Sequence, residues 1–86
     1  MNLLSSNDFK TLREAMMNGE ETYLIRTLHN TTVSARTFRV SPPWDVDMIL
    51  QIQMERGSIS WIQNFKTVDT AKKYMDSWEA RFHWIS

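Results

Sequence analysis

Between Val46 and Met54 apolar side chains fall on every second position: Val46, Met48, Leu50, Ile52 and Met54 alternate with Asp47, Ile49, Gln51 and Gln53. A period of two is that of a strand with one buried face. A tight turn at Arg56-Gly57 sets this strand against the next apolar run, pairing Met54 with Ile59, Ile52 with Trp61, Leu50 with Gln63 and Met48 with Phe65. A one-residue slip would turn every apolar side chain to the wrong face, so the agreement of the two runs predicts a hairpin. Further on, Val68, Ala71, Met75, Trp78, Phe82 and Ile85 recur every third or fourth residue and draw one helical stripe from a start near Thr67 to Asp69.

Upstream, Tyr, Leu, Ile and Thr dominate residues 22–28, and a second β-rich run covers 32–40 after His29-Asn30-Thr31. A turn centred on Asn30-Thr31 places Leu28 opposite Val33 and Tyr23 opposite Phe38. One face then carries Tyr23, Ile25, Phe38 and Val40, and the other Leu24, Leu28 and Val33. Residues 7–18 read as a helix, since Ser5 and Asp8 are spaced as a capping box, Phe9, Leu12 and Met16 share a face, and Gly19 follows as a stop. The expected architecture is a single α+β domain over residues 1–86: helix, a four-stranded mostly antiparallel sheet of two hairpins, helix, with both helices on one face.

Length and composition agree with that picture and narrow the chemistry. A chain of 86 residues buries roughly 60% or more of its unfolded surface on folding, enough for one core. Ten basic residues balance ten acidic ones, so no long-range field draws the chain to nucleic acid or an anionic membrane. Without cysteine, disulfides, thiolate zinc sites and thiol nucleophiles are excluded. Residues 1–6 carry no basic leader and no run approaches the roughly 20 apolar residues of a membrane span, so a cytoplasmic, soluble protein is expected.

Candidate catalytic chemistry is sparse. His29 falls in a turn and His83 near the end of the chain, and no motif joins them to a nucleophile. Asp45 and Asp47 point the same way at a strand start, but without further oxygen ligands they read as charges guarding an edge rather than a metal site. Gly19 and Gly57 each have a cap or turn to serve, so no phosphate loop can be drawn. Asn30-Thr31-Thr32 matches a glycosylation sequon but lacks a secretory context. No enzyme, cofactor or metal is expected.

What folding leaves over is surface. Ile49 and Ile62 fall on the outer face of the second hairpin beside Gln51, and Trp44 follows the stiff Ser41-Pro42-Pro43 segment. With Arg36 and Arg39 these residues define an expected docking surface for a larger protein, as an inhibitor or modulator would use. No run of residues identifies a family; size and economy alone suit the small accessory proteins of phages and mobile elements. Between Thr22 and Trp44 there are arginines at 26, 36 and 39 and no acid, so the alternative is a nucleic-acid surface made of Arg26, Arg36 and Arg39 with Tyr23 or Phe38 for stacking. A homo-oligomer joined through sheet edges or the Trp84 end of the last helix is a third expectation.

Overall fold

The computed structural model describes residues 3–85, with side chains described through Ser77. In chain order the elements are α1 (Ser6–Asn18), β1 (Thr22–Leu28), β2 (Thr31–Arg39), β3 (Met48–Arg56), β4 (Ile59–Phe65) and α2 (Val68–Ile85). The strands form one antiparallel sheet in the order β1-β2-β3-β4. The chain is therefore α+β, as the hydrophobic pattern requires.

Each boundary has a local cause. Ser5 and Asp8 exchange hydrogen bonds, Ser5 N–H donating to Asp8 Oδ2 at 3.0 Å and Asp8 N–H to Ser5 Oγ at 3.1 Å, and the left-handed Gly19 (φ 67) ends α1. Thr67 starts α2, its hydroxyl accepting from the Thr70 N–H at 3.2 Å. Both helices pack on the sheet face that carries Val33, Ala35, Leu50, Ile52, Met54 and Phe65. Leu4, Phe9 and Leu12 come from the first helix side, and Val68, Ala71 and Met75 from the second. Each large side chain so buried contributes roughly 1.5–3 kcal/mol of transfer free energy. The second half of the α2 stripe, Trp78, Phe82 and Ile85, lies outside the residues whose side chains are described, as do His83 and Trp84.

Both hairpins keep the expected faces but are shifted in register by two residues. Leu28 lies opposite Thr31 rather than Val33, and Tyr23 opposite Arg36 rather than Phe38. Likewise Met54 faces Trp61, Ile52 faces Gln63 and Leu50 faces Phe65. The turn residues decide this. Each loop opens on a residue with positive φ, His29 at 54° and Gly57 at 60°, as the primed hairpin turns require, so the loops are His29-Asn30 and Gly57-Ser58. A shift of two preserves the faces, and the apolar pattern alone does not distinguish the registers.

Two placements differ more. Trp61 packs against the rim of the core and is only half-buried. Ile49, expected in solvent, is on the outer face but only 1% exposed. It stands opposite Phe38 at the end of the sheet where residues 40–47 leave and return, a connection closed by Val40 N–H donating to Asp47 O at 3.0 Å. That end of the outer face is not bare.

Candidate docking face

With both helices on one side, the other side of the sheet is built from alternate residues of each strand. Its rows follow from the register. Tyr23, Arg36, Gln51 and Asn64 form one, and Ile25, Ser34, Gln53 and Ile62 the next. Tyr23 is 61% exposed, Ile25 50% and Ile62 59%.

The first row is held by side-chain hydrogen bonds. Arg36 Nε donates to Gln51 Oε1 at 2.9 Å, and Gln51 Nε2 to Asn64 Oδ1 at 3.1 Å. The Arg36 guanidinium also lies over the Phe38 ring, 4.7 Å from its centroid. Held from two sides, the fork is oriented before any ligand arrives, and among the described residues no acid pairs with it. A depression of about 310 Å³ lies beside it, lined by Tyr23, Ser34, Arg36, Gln51 and Gln53. The face thus offers a planar cation flanked by a phenol, amides and two exposed isoleucines.

The expected site residues divide. Arg36, Gln51 and Ile62 are together on the open face, and Trp44, 48% exposed, stands in the 40–47 connection. Ile49 is buried and drops out of the exposed surface. Arg39 projects to the helix side, where its Nη2 is 3.2 Å from the space a Cβ on Gly19 would fill. Tyr23 and Ile25, on the first strand, extend the face beyond the expected docking set; the parity of β1 is the sequence signal that places them there.

The cationic hairpin is not one surface. Arg26 is on the helix side and is engaged by Asp8, Nη2 to Oδ1 at 2.8 Å and Nε to Oδ2 at 3.2 Å. The three arginines therefore do not converge with Tyr23 and Phe38, because alternate strand positions face opposite ways.

A second hollow, of about 480 Å³, lies between α1 and the start of α2, lined by Met16, Met17, Met48 and Val68 among others. Of its charged lining residues, Arg13 pairs with Asp69 at 2.7 Å, and Lys66 pairs with Asp45 outside the hollow at 2.8 Å. The Lys66 hydrogen bond holds the Asp45 carboxyl below its ordinary value. Asp45 is thus an ion-pair partner, and among the described residues no three His, Asp or Glu side chains gather as a metal-ligand set. Among those residues, too, no helix is long and apolar enough to cross a membrane.

No protein-family model, curated protein or solved structure matches the chain. The class is therefore defined by fold and surface: a small α+β domain with one sheet face built into the core and one presented outward.

Proposed function

We propose that the protein is a non-enzymatic binding module, acting as an inhibitor or modulator that docks its open sheet face on a larger protein. The partner surface is one that sets a carboxylate against Arg36 and apolar side chains against Tyr23 and Ile25. The supporting observation is the Arg36 fork, oriented by Gln51 and Phe38 yet carrying no acidic partner among the described residues, in the middle of a face with exposed Tyr23, Ile25 and Ile62. Arginine and tyrosine are the side chains that most often carry binding energy when a partner desolvates them. Arg26 and Arg39 lie on the helix side, with Arg26 engaged by Asp8, so a nucleic-acid surface on the open face would draw on Arg36 as a single cation with Tyr23 or Phe38, which favours the protein-docking reading.

Paired capture tests the reading. Wild type, Arg36→Glu and Lys10→Glu, the last on the exposed side of α1, are used as baits in the same native lysate, and any retained protein is then purified and titrated. A protein held stoichiometrically by wild type and Lys10→Glu but lost by Arg36→Glu supports the reading. Retention that is indifferent to Arg36→Glu, or no retained protein, overturns it.

A further inference from the structure

We infer that a second copy of this chain pairs with β4, antiparallel and two-fold symmetric about Ile62, to make one continuous sheet from two four-stranded ones. β4 is an edge of the sheet. Its seven residues, Ile59 to Phe65, hold no charge, no proline and no glycine, and its register with β3 runs without a bulge. Strands left at an edge are ordinarily blunted by such features, because their unpaired backbone groups are a template for another strand.

The opposite edge shows what blunting looks like. Arg56 and Ile59 flank one two-residue loop as Leu28 and Thr31 flank the other, and in such hairpins the flanking pair is hydrogen-bonded. Counting from there, Tyr23, Ile25 and Thr27 turn their N–H and C=O groups to the free edge of β1. Arg26 folds back over that edge, its Nη1 donating to the Ile25 carbonyl at 2.8 Å while its other nitrogens hold Asp8. A docking strand would have to displace a guanidinium engaged with a buried carboxylate.

By the same count, Ser60, Ile62 and Asn64 turn their N–H and C=O groups to the free edge of β4. Their backbone groups meet no side chain among the described residues. The Ser60 hydroxyl and the Asn64 amide are instead drawn inward, to Gln53 at 3.3 Å and Gln51 at 3.1 Å, and leave the edge open. Among the described residues the edge is unpaired and unguarded.

What fits it is a strand of matching pattern without charge, and β4 itself is one. Antiparallel self-pairing centred on Ile62 sets Ile62 against Ile62 of the second copy and Ser60 against its Asn64. That register matches all three outward-facing residues within the strand; moving the centre by one residue sets one of them against Ser58 or Lys66. Ile62, 59% exposed, gains its own counterpart on the open face, and Ile59, 55% exposed, lies opposite Phe65 of the other copy on the helix side. No two like charges meet, which is the condition an isologous contact must satisfy. The open faces of the copies then become continuous, with the Ile25, Ser34, Gln53, Ile62 row running through the two-fold axis.

The test needs no partner protein. Sedimentation of the full chain at high micromolar concentration is expected to give twice the 10.2 kDa chain mass for wild type and the single mass for Ile62→Lys, with equal unfolding midpoints at dilutions where both proteins are monomeric. Because the chain has no cysteine, Ile62→Cys is expected to form a disulfide-linked dimer under mild oxidation, since directly opposed hydrogen-bonded residues have Cα atoms about 5.5 Å apart. Ile25→Cys, on the same face at the guarded edge, is expected to remain monomeric on a non-reducing gel. A wild-type monomer, a dimer that survives Ile62→Lys, or equal cross-linking from positions 25 and 62 overturns the inference. These outcomes leave the Arg36 capture experiment untouched, so the two readings fail separately.

Discussion

Arg26 clamps Asp8 with two hydrogen bonds, 2.8 and 3.2 Å, joining the edge strand β1 to the capping box of α1. The carboxylate is buried, and it also accepts from the Ser5 N–H at 3.0 Å. One side chain thus secures the helix start, the strand edge and a buried charge. The cation that the composition offered as a nucleic-acid contact is used by the fold.

Removing that cation leaves a buried carboxylate without its strongest partner. Arg26 is itself 45% exposed, so water softens the loss, and Arg26→Ala is expected to cost about 2 kcal/mol. The midpoint of urea denaturation measures it. A midpoint equal to that of wild type would show that the clamp contributes nothing.

The same contact makes stability depend on acid. Burial raises the Asp8 carboxyl, but the hydrogen bonds from Arg26 and Ser5 and the guanidinium charge outweigh it and leave the group below its ordinary value of 3.8. As pH falls the unfolded chain therefore takes up this proton before the folded one. The stabilisation is complete above the ordinary carboxylate range and disappears as pH drops through and below that range. Asp8→Asn is expected to lower stability at neutral pH and to flatten its decline between roughly pH 5 and 2, read from denaturation midpoints across pH. An unchanged decline would place the acid sensitivity elsewhere.

Two isoleucines on one sheet face are expected to behave oppositely. Ile49 is 1% exposed, and Ile49→Ala is expected to destabilise by about 2–4 kcal/mol. Ile62 is 59% exposed, and at dilutions where the chain is monomeric Ile62→Ala is expected to change stability by less than about 0.5 kcal/mol. Equal losses in chemical denaturation would contradict the division of the outer face into a covered end and a bare middle.

At the second hairpin turn the backbone sets the constraint. Gly57 has φ 60°, and a Cβ there would meet only Asn30 Nδ2 at 3.5 Å, an ordinary contact. Gly57→Ala is therefore expected to cost about 1–2 kcal/mol from conformation alone, measurable by thermal or urea unfolding. A neutral or stabilising substitution would mean that the turn adopts another conformation.

The elements and their faces were legible because periods of two and of three to four occur without interruption in residues 48–54 and 68–75, and because Ser5, Asp8 and Gly19 form a capping pattern at the right spacing. Register was not legible. A two-residue shift keeps Met48, Leu50, Ile52 and Met54 inward, and the choice lies in whether His29 and Gly57 take the left-handed region. Ile49 was misplaced for a related reason: parity states which way a strand residue points, but its burial depends on Phe38 opposite it and on the path of residues 40–47. Of the docking set, Arg36, Gln51 and Ile62 could be assigned by parity alone. The uses of Arg26 and Arg39 depend on where α1 lands, which no local pattern encodes.

The claim on which the functional reading depends is that Arg36 serves a partner and not the fold. Titration of the purified partner into wild type and Arg36→Glu, with unfolding midpoints for both, tests it most directly. The predicted result is at least a tenfold loss of affinity, about 1.4 kcal/mol, with a fall in stability of no more than about 1 kcal/mol from the lost Gln51 and Phe38 contacts, which leaves both proteins folded during the titration. Equal affinity for the two proteins, or a loss of affinity that only follows a loss of folding, would contradict it.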